Sequence, residues 1–154
     1  YLDRRPDQDF TMQPAVAKVA RFVIDADART ITKAPEITQI QTTNADKLLE
    51  TPWKWVKTDI VYKSHQPNKP DVFTMTFNAD GTFNFTTDCN NGGGTYTASH
   101  NVLGFGPIYT TLMFCERAQE TEFTSMLDAV QTYRFDAPNY LVLEFYGGEM
   151  HLTR

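Results

Sequence analysis

The 154-residue chain contains only two cysteines, Cys89 and Cys115. That excludes a disulfide-dense scaffold and leaves too few thiolates for a cysteine-built zinc cluster. Two readings stay open: one bridge in an oxidising compartment, or two thiols in a reducing one. Histidine is also scarce. His65, His100 and His151 lie far apart, with none of the close spacing of metal ligands. No apolar run approaches the roughly 18 residues a membrane-spanning helix requires. Basic residues are outnumbered, 14 Lys and Arg against 19 Asp and Glu, for a formal charge of -5. No basic stretch interleaves with aromatics, so the chain has no electrostatic footprint for nucleic acid or an anionic membrane.

What is present is core-forming. An apolar fraction of 41% and an aromatic fraction of 13% suit one packed domain with an ordered extension. Residues 1–46 read as an N-terminal arm with a linker, and 47–154 as a β domain. Within the arm, Val16, Val19, Ala20 and Val23 fit a helical stripe. The β-branched runs VARFVI and RTITKA around the polar DADA favour a hairpin instead. The chain begins at Tyr1 without a methionine, which fits removal of a leader upstream.

From Trp53 onward the pattern is short strands and turns. WKWVKTDIV precedes the proline-rich break SHQPNKPD, which cannot continue a ladder. VFTMTF places Phe73, Met75 and Phe77 on one face, and TFNFTT does the same for Phe83 and Phe85. Asp80-Gly81 between them supplies a tight hairpin turn, as does Gly147-Gly148 later. Further strands are predicted at GTYTAS, VLGF, IYTTLMF, TYRFD, LVLEFY and MHLT. One segment breaks the rule. Phe123, Met126, Leu127 and Val130 recur at helical spacing, which predicts one amphipathic helix over about 118–132 covering the sheet. The fold class is therefore mainly β: an antiparallel barrel or sandwich of about eight short strands with one helix.

The stretch TTDCNNGGGTY carries the most unusual composition. A phosphate loop would need a helix and a lysine after the glycines, and neither follows. A metal site finds no supporting spacing. A Cys89–His100 nucleophile would need a free thiolate beside its base. The structural reading is a corner, in which glycines permit unusual backbone angles or let another chain pass close, and Tyr96 returns the chain to the core. If Cys89 and Cys115 were bridged, the closed loop of roughly 27 residues would be worth about 3.5 kcal/mol.

These segments in this order resemble the META domain, the HslJ-like family. The likeness rests on Cys89-Asn90, Gly94 with Tyr96, Phe105-Gly106-Pro107, Thr111 to Cys115, and Glu122-Phe123, and spans about residues 48–154. Where the family often has a glycine before Cys-Asn, this chain has Asp88. The resemblance implies a small exported domain, periplasmic, outer-membrane-anchored as a lipoprotein, or secreted, in some members linked to stress. It implies no catalytic residue, cofactor or metal, and it carries Cys89 and Cys115 over as a structural pair. Asn90, Gly94, Tyr96, Gly106 and Pro107 are then structural motif residues.

The functional expectation is a non-enzymatic binding module. Its ligand-facing aromatics would come from Trp53, Trp55, Phe73, Phe83, Phe85 and Tyr109, and its partner would be an apolar small molecule. The alternative is a protein-interaction, inhibitor or assembly module whose partner is an envelope protein.

Overall fold

The computed structural model describes residues 22–25, 30–33, 43–49 and 51–154. The chain divides into two compact units, Tyr1–Ile40 and Gln41–Arg154. In the first, β1 (Phe22–Asp25) pairs antiparallel with β2 (Thr30–Lys33), Phe22 opposite Lys33 and Asp25 opposite Thr30. The helical stripe considered for Val16 to Ala20 lies outside the described residues. Val23 is in β1.

The second unit is a closed barrel. Its strands are β3 (Trp53–Ile60), β5 (Thr74–Phe77), β6 (Thr82–Thr86), β7 (Asn91–Ser99), β8 (Val102–Phe105), β10 (Val130–Ala137), β11 (Tyr140–Phe145) and β12 (Gly148–Thr153). Every neighbouring pair is antiparallel. The ring runs β3-β5-β6-β7-β8-β10-β11-β12 and closes by pairing β12 with β3, Leu152 opposite Trp55 and Gly148 opposite Ile60. A barrel rather than a sandwich results, with no free sheet edge along the ring. Two short strands attach to it: β4 (Lys63–His65) on β3, and β9 (Tyr109–Thr110) on β7.

Alternation explains the filling. Met75, Phe77, Phe83, Phe85, Tyr133, Leu141, Leu143, Met150 and Leu152 point inward and are buried. Each buried large side chain contributes about 1.5–3 kcal/mol. The two predicted glycine turns are present, with Gly81 at φ 82° and Gly147 at φ 83°, values that favour glycine. The helix α1 (Glu120–Ala129) is shorter than the predicted span and lies within it. Val130, read as part of its stripe, is instead the extended first residue of β10. Phe123, Met126 and Leu127 turn into the core as the spacing requires.

The helix marks one end of the barrel. Phe123 sits among Trp55, Phe73 and Phe85, with ring centroids 5.7, 5.4 and 5.8 Å away. At the other end a single 3-10 turn, Asp46–Leu48, inserts the fully buried Leu48, and the Trp53 indole N–H donates to the Leu48 carbonyl at 2.9 Å. Both mouths are therefore stoppered by apolar side chains.

Candidate functional site

The Cys89-Asn90 corner lies at the helix end, between β6 and β7. Cys89 and Cys115 form a disulfide with Cα atoms 5.7 Å apart. Asn90, only 5% exposed, uses its whole amide. Its Oδ1 accepts from the Thr111 hydroxyl at 2.6 Å and the Met113 backbone N–H at 2.9 Å. Its Nδ2 donates to the Met113 carbonyl at 3.0 Å and to Glu120 Oε2 at 2.7 Å. A primary amide has two donors and a two-lone-pair acceptor, so all four capacities are filled. The side chain thus acts as one more rung of sheet against Met113 and ties that residue to the first turn of α1. Asp88 joins this structure: its Oδ2 accepts the Gln119 N–H at 2.9 Å, capping the entry to the helix from a distant part of the chain.

The glycines do not form the corner. Gly92, Gly93 and Gly94 lie inside β7 with no left-handed angle, and the bend is at Asp88-Cys89. Their second predicted role, close approach, is the one the structure uses. A Cβ at Gly92 would overlap the Tyr109 carbonyl oxygen and the Phe85 ring. One at Gly93 would stand 2.5 Å from the Phe83 carbonyl oxygen, and one at Gly94 2.6 Å from that of Pro107. The reason is that β8 and β9 run along the same edge of β7 as one interrupted strand, broken at Gly106-Pro107. Pro107 has no N–H to give a ladder, and the chain crosses over the glycines there. Tyr96 returns to the core beside Phe77, centroids 4.8 Å apart, and its hydroxyl donates to the Asn78 carbonyl at 2.8 Å.

The segment IYTTLMF, predicted as a full strand, is one only at Tyr109–Thr110. Beyond Thr111 the chain leaves the sheet, held by Asn90 and by Cys115. Its side chains are bare: Leu112 is 100% exposed, Met113 62% and Phe114 93%. Three successive apolar residues in water, on a backbone fixed at both ends, form the most distinctive surface of the described residues. Nothing in the sequence pattern marks these three side chains as exposed. TLMF has no alternation, whereas the inward-facing strands do.

The other candidates fall elsewhere. Trp53, Trp55, Phe73, Phe83 and Phe85 are each no more than 2% exposed and pack in the core. Their polar handles are used internally, Trp55 donating to the Thr58 hydroxyl at 2.9 Å. Tyr109 is 63% exposed. A hollow of about 360 Å³ is on the outside, beside Thr132, Glu144 and Glu149. There Arg134 reaches across β11 to Glu144 and Glu149 and also pairs with Asp136. The hydrogen bonds that it donates to Glu149 first, then to Asp136 and Glu144, raise its pKa further. His100 is in the β7–β8 turn at the end away from Cys89, and His65 pairs with Glu122. Glu120 and Glu122 thus serve separate contacts, to Asn90 and to His65. Among the described residues no three metal-ligating side chains converge, and no helix is long and apolar enough to cross a membrane.

Two solved structures share the fold. A protein from Burkholderia xenovorans, solved by NMR, is 20% identical with a TM-score of 0.59, over 70% of this chain and 83% of its own. A DUF4847 family protein from Bacteroides vulgatus is 18% identical with a TM-score of 0.54, over 69% and 93%. No curated protein matches the sequence. The META domain family matches residues 46–154, the whole of the barrel with its leading turn. With its Cys-Asn corner, its interrupted strand over the glycines and its helix-stoppered barrel, the chain belongs to the META domain family.

Proposed function

We propose that this protein is a non-enzymatic binding module of an exported compartment, and that it engages an apolar partner through Leu112, Met113 and Phe114. The observation that carries this is the pinning of an exposed apolar segment. The Asn90 amide holds Met113 on both backbone groups, and the Cys89–Cys115 bridge fixes the segment's far end. Exposing such side chains to water is unfavourable, and holding them rigidly removes the ordering cost that binding would otherwise carry. The bridge itself belongs to an oxidising compartment, which supports export. An apolar small molecule inside the barrel has less support, because both mouths are stoppered and the interior aromatics are packed on one another.

A photo-crosslinking amino acid placed at Phe114, with Val102 as the control position, tests this in cells that make the protein. Strong adducts from position 114 and none from 102 are expected. Equal labelling, or none at 114, would overturn the reading. A double variant Leu112→Ser with Phe114→Ser should abolish function while leaving thermal stability unchanged, since neither side chain contributes to the core.

A further inference from the structure

Among the described residues, the exposed apolar side chains are not spread over the barrel. β3 and β11 run toward the helix end and β12 begins there, so the turns that join them, at Val61-Tyr62 and Tyr146-Gly147, are at that end. The two turns touch, the Val61 N–H donating to the Gly147 carbonyl at 3.1 Å. Val61 is 60% exposed, Tyr62 104% and Tyr146 96%. Leu112, Met113 and Phe114 are at the same end, because Thr111 donates its N–H to Asn91 at the start of β7. Among the described residues, only Val56 and Val102 of the strongly exposed large apolar side chains lie away from this end or its approaches. In the ring order β7 stands opposite β12. The rim therefore carries two apolar prominences on opposite sides, with α1 across the mouth between them.

From this arrangement we infer that the helix end of the barrel docks on a zwitterionic lipid surface, with Leu112, Met113 and Phe114 on one side and Val61, Tyr62 and Tyr146 on the other entering its interfacial layer. The inference rests on the pinned-loop reading and specifies its partner. Three features favour a lipid surface over a protein groove. The prominences are solvent-exposed tips rather than a packed patch, and two separated tips are met together by a flat, yielding surface. Their composition grades from Leu, Met and Phe to Tyr, the residue that prefers the polar boundary of a bilayer. The rim has no excess of basic charge: Lys63, Lys69 and Arg117 stand against Glu116, Glu120, Glu122 and Asp128, and the Asn90 amide that holds Glu120 is neutral. An anionic surface therefore has nothing to hold it there, and neutral headgroups are the complementary surface. Tyr62 adds an independent sign. It occupies the left-handed region at φ 70°, where a bulky residue is disfavoured and glycine or asparagine would be easier.

The test uses the whole chain with phosphatidylcholine vesicles. Flotation at 0.1 and 0.5 M NaCl should recover equal bound fractions. Single variants Phe114→Trp, Tyr62→Trp and Val102→Trp, at exposed positions where folding is not at risk, are then read against brominated phosphatidylcholine. Quenching of the first two and not the third is expected. The pair Leu112→Asp with Phe114→Asp, and the pair Tyr62→Asp with Tyr146→Asp, should each lower the partition coefficient at least tenfold. Absence of flotation, binding only to anionic vesicles and lost in salt, or quenching at position 114 alone would each overturn the inference. If vesicles fail while a protein is crosslinked from position 114, the lipid surface is refuted and the pinned-loop reading stands.

Discussion

Replacing Asn90 by alanine removes four hydrogen bonds at once, to the Thr111 hydroxyl, both backbone groups of Met113 and the Glu120 carboxylate. Neutral hydrogen bonds contribute roughly 0.5–1.5 kcal/mol each and one to a carboxylate about 1.5–3. Water reaches the exposed side of Met113 and restores part of this. The expected loss is about 3 kcal/mol, close to a 150-fold change in the folding equilibrium. Urea denaturation measures it, and hydrogen exchange locates it: the amides of Thr111 and Met113 should lose protection while β11 and β12 keep theirs. Asn90→Asp sharpens the argument. It keeps an acceptor for Thr111 and Met113 but sets a carboxylate against Glu120 and the Met113 carbonyl. At neutral pH it should be worse than Asn90→Ala, and acidification toward pH 4, which protonates one of the two carboxyls, should narrow the gap. A loss below 0.5 kcal/mol for Asn90→Ala, with unchanged exchange at Met113, would refute the clamp.

Three further outcomes follow from the same structure. The double variant Cys89→Ser with Cys115→Ser should lose about 3.5 kcal/mol by denaturation, an amount set by the length of the closed loop; a loss below 1 would show that the unfolded chain is not constrained by the bridge. Gly94→Ala should cost at least 2 kcal/mol because its methyl meets the Pro107 carbonyl at 2.6 Å, whereas Gly104→Ala, with only Thr97 Oγ1 at 3.6 Å, should cost well under half of that; equal thermal melts for the two would remove the close-approach explanation. Burial raises the pKa values of the Tyr133 and Tyr96 phenols above 10. A phenol held neutral in the folded state stabilises fully below pH 10, and this stability is lost as pH rises through the folded value. Denaturation midpoints should therefore fall above pH 10, and Tyr133→Phe should flatten that fall; an unaltered alkaline slope would disprove it.

The parts of the fold that were legible are those written in one strand's own alternation. VFTMTF and TFNFTT disclosed their inward faces, VLGF its limits, and the glycines at 81 and 147 their turns. Features set by a neighbour in space were not. β4 follows a weakly apolar KSH and exists because β3 offers it an edge. Gly92 to Gly94 have poor intrinsic strand preference, and their extended state is imposed by β6 on one side and the Gly106-Pro107 crossing on the other. At the candidate site Cys89 is in the bridge and the Asn90 amide is taken up in hydrogen bonds. The exposed apolar segment was not legible, because TLMF reads as strand until it is known that Asn90 substitutes a side chain for the neighbouring strand and leaves the apolar groups outside. The interior aromatics illustrate the converse: composition suggested them for a ligand, and mutual packing uses them up.

The closure of the barrel by β12 on β3 has a bearing on how the protein is made. The first strand of the ring and its final partner are separated by roughly a hundred residues, so their union is the most distant contact in the barrel. While the polypeptide emerges from the ribosome, β3 holds Trp53 and Trp55 with one flank unsatisfied until the last six residues of β12 have been synthesised. Every earlier species is an open, sticky curl of sheet that can associate with its copies. A nascent chain of this design needs shielding until β12 is complete, and truncation before Gly148 would yield an aggregate rather than a weakened barrel.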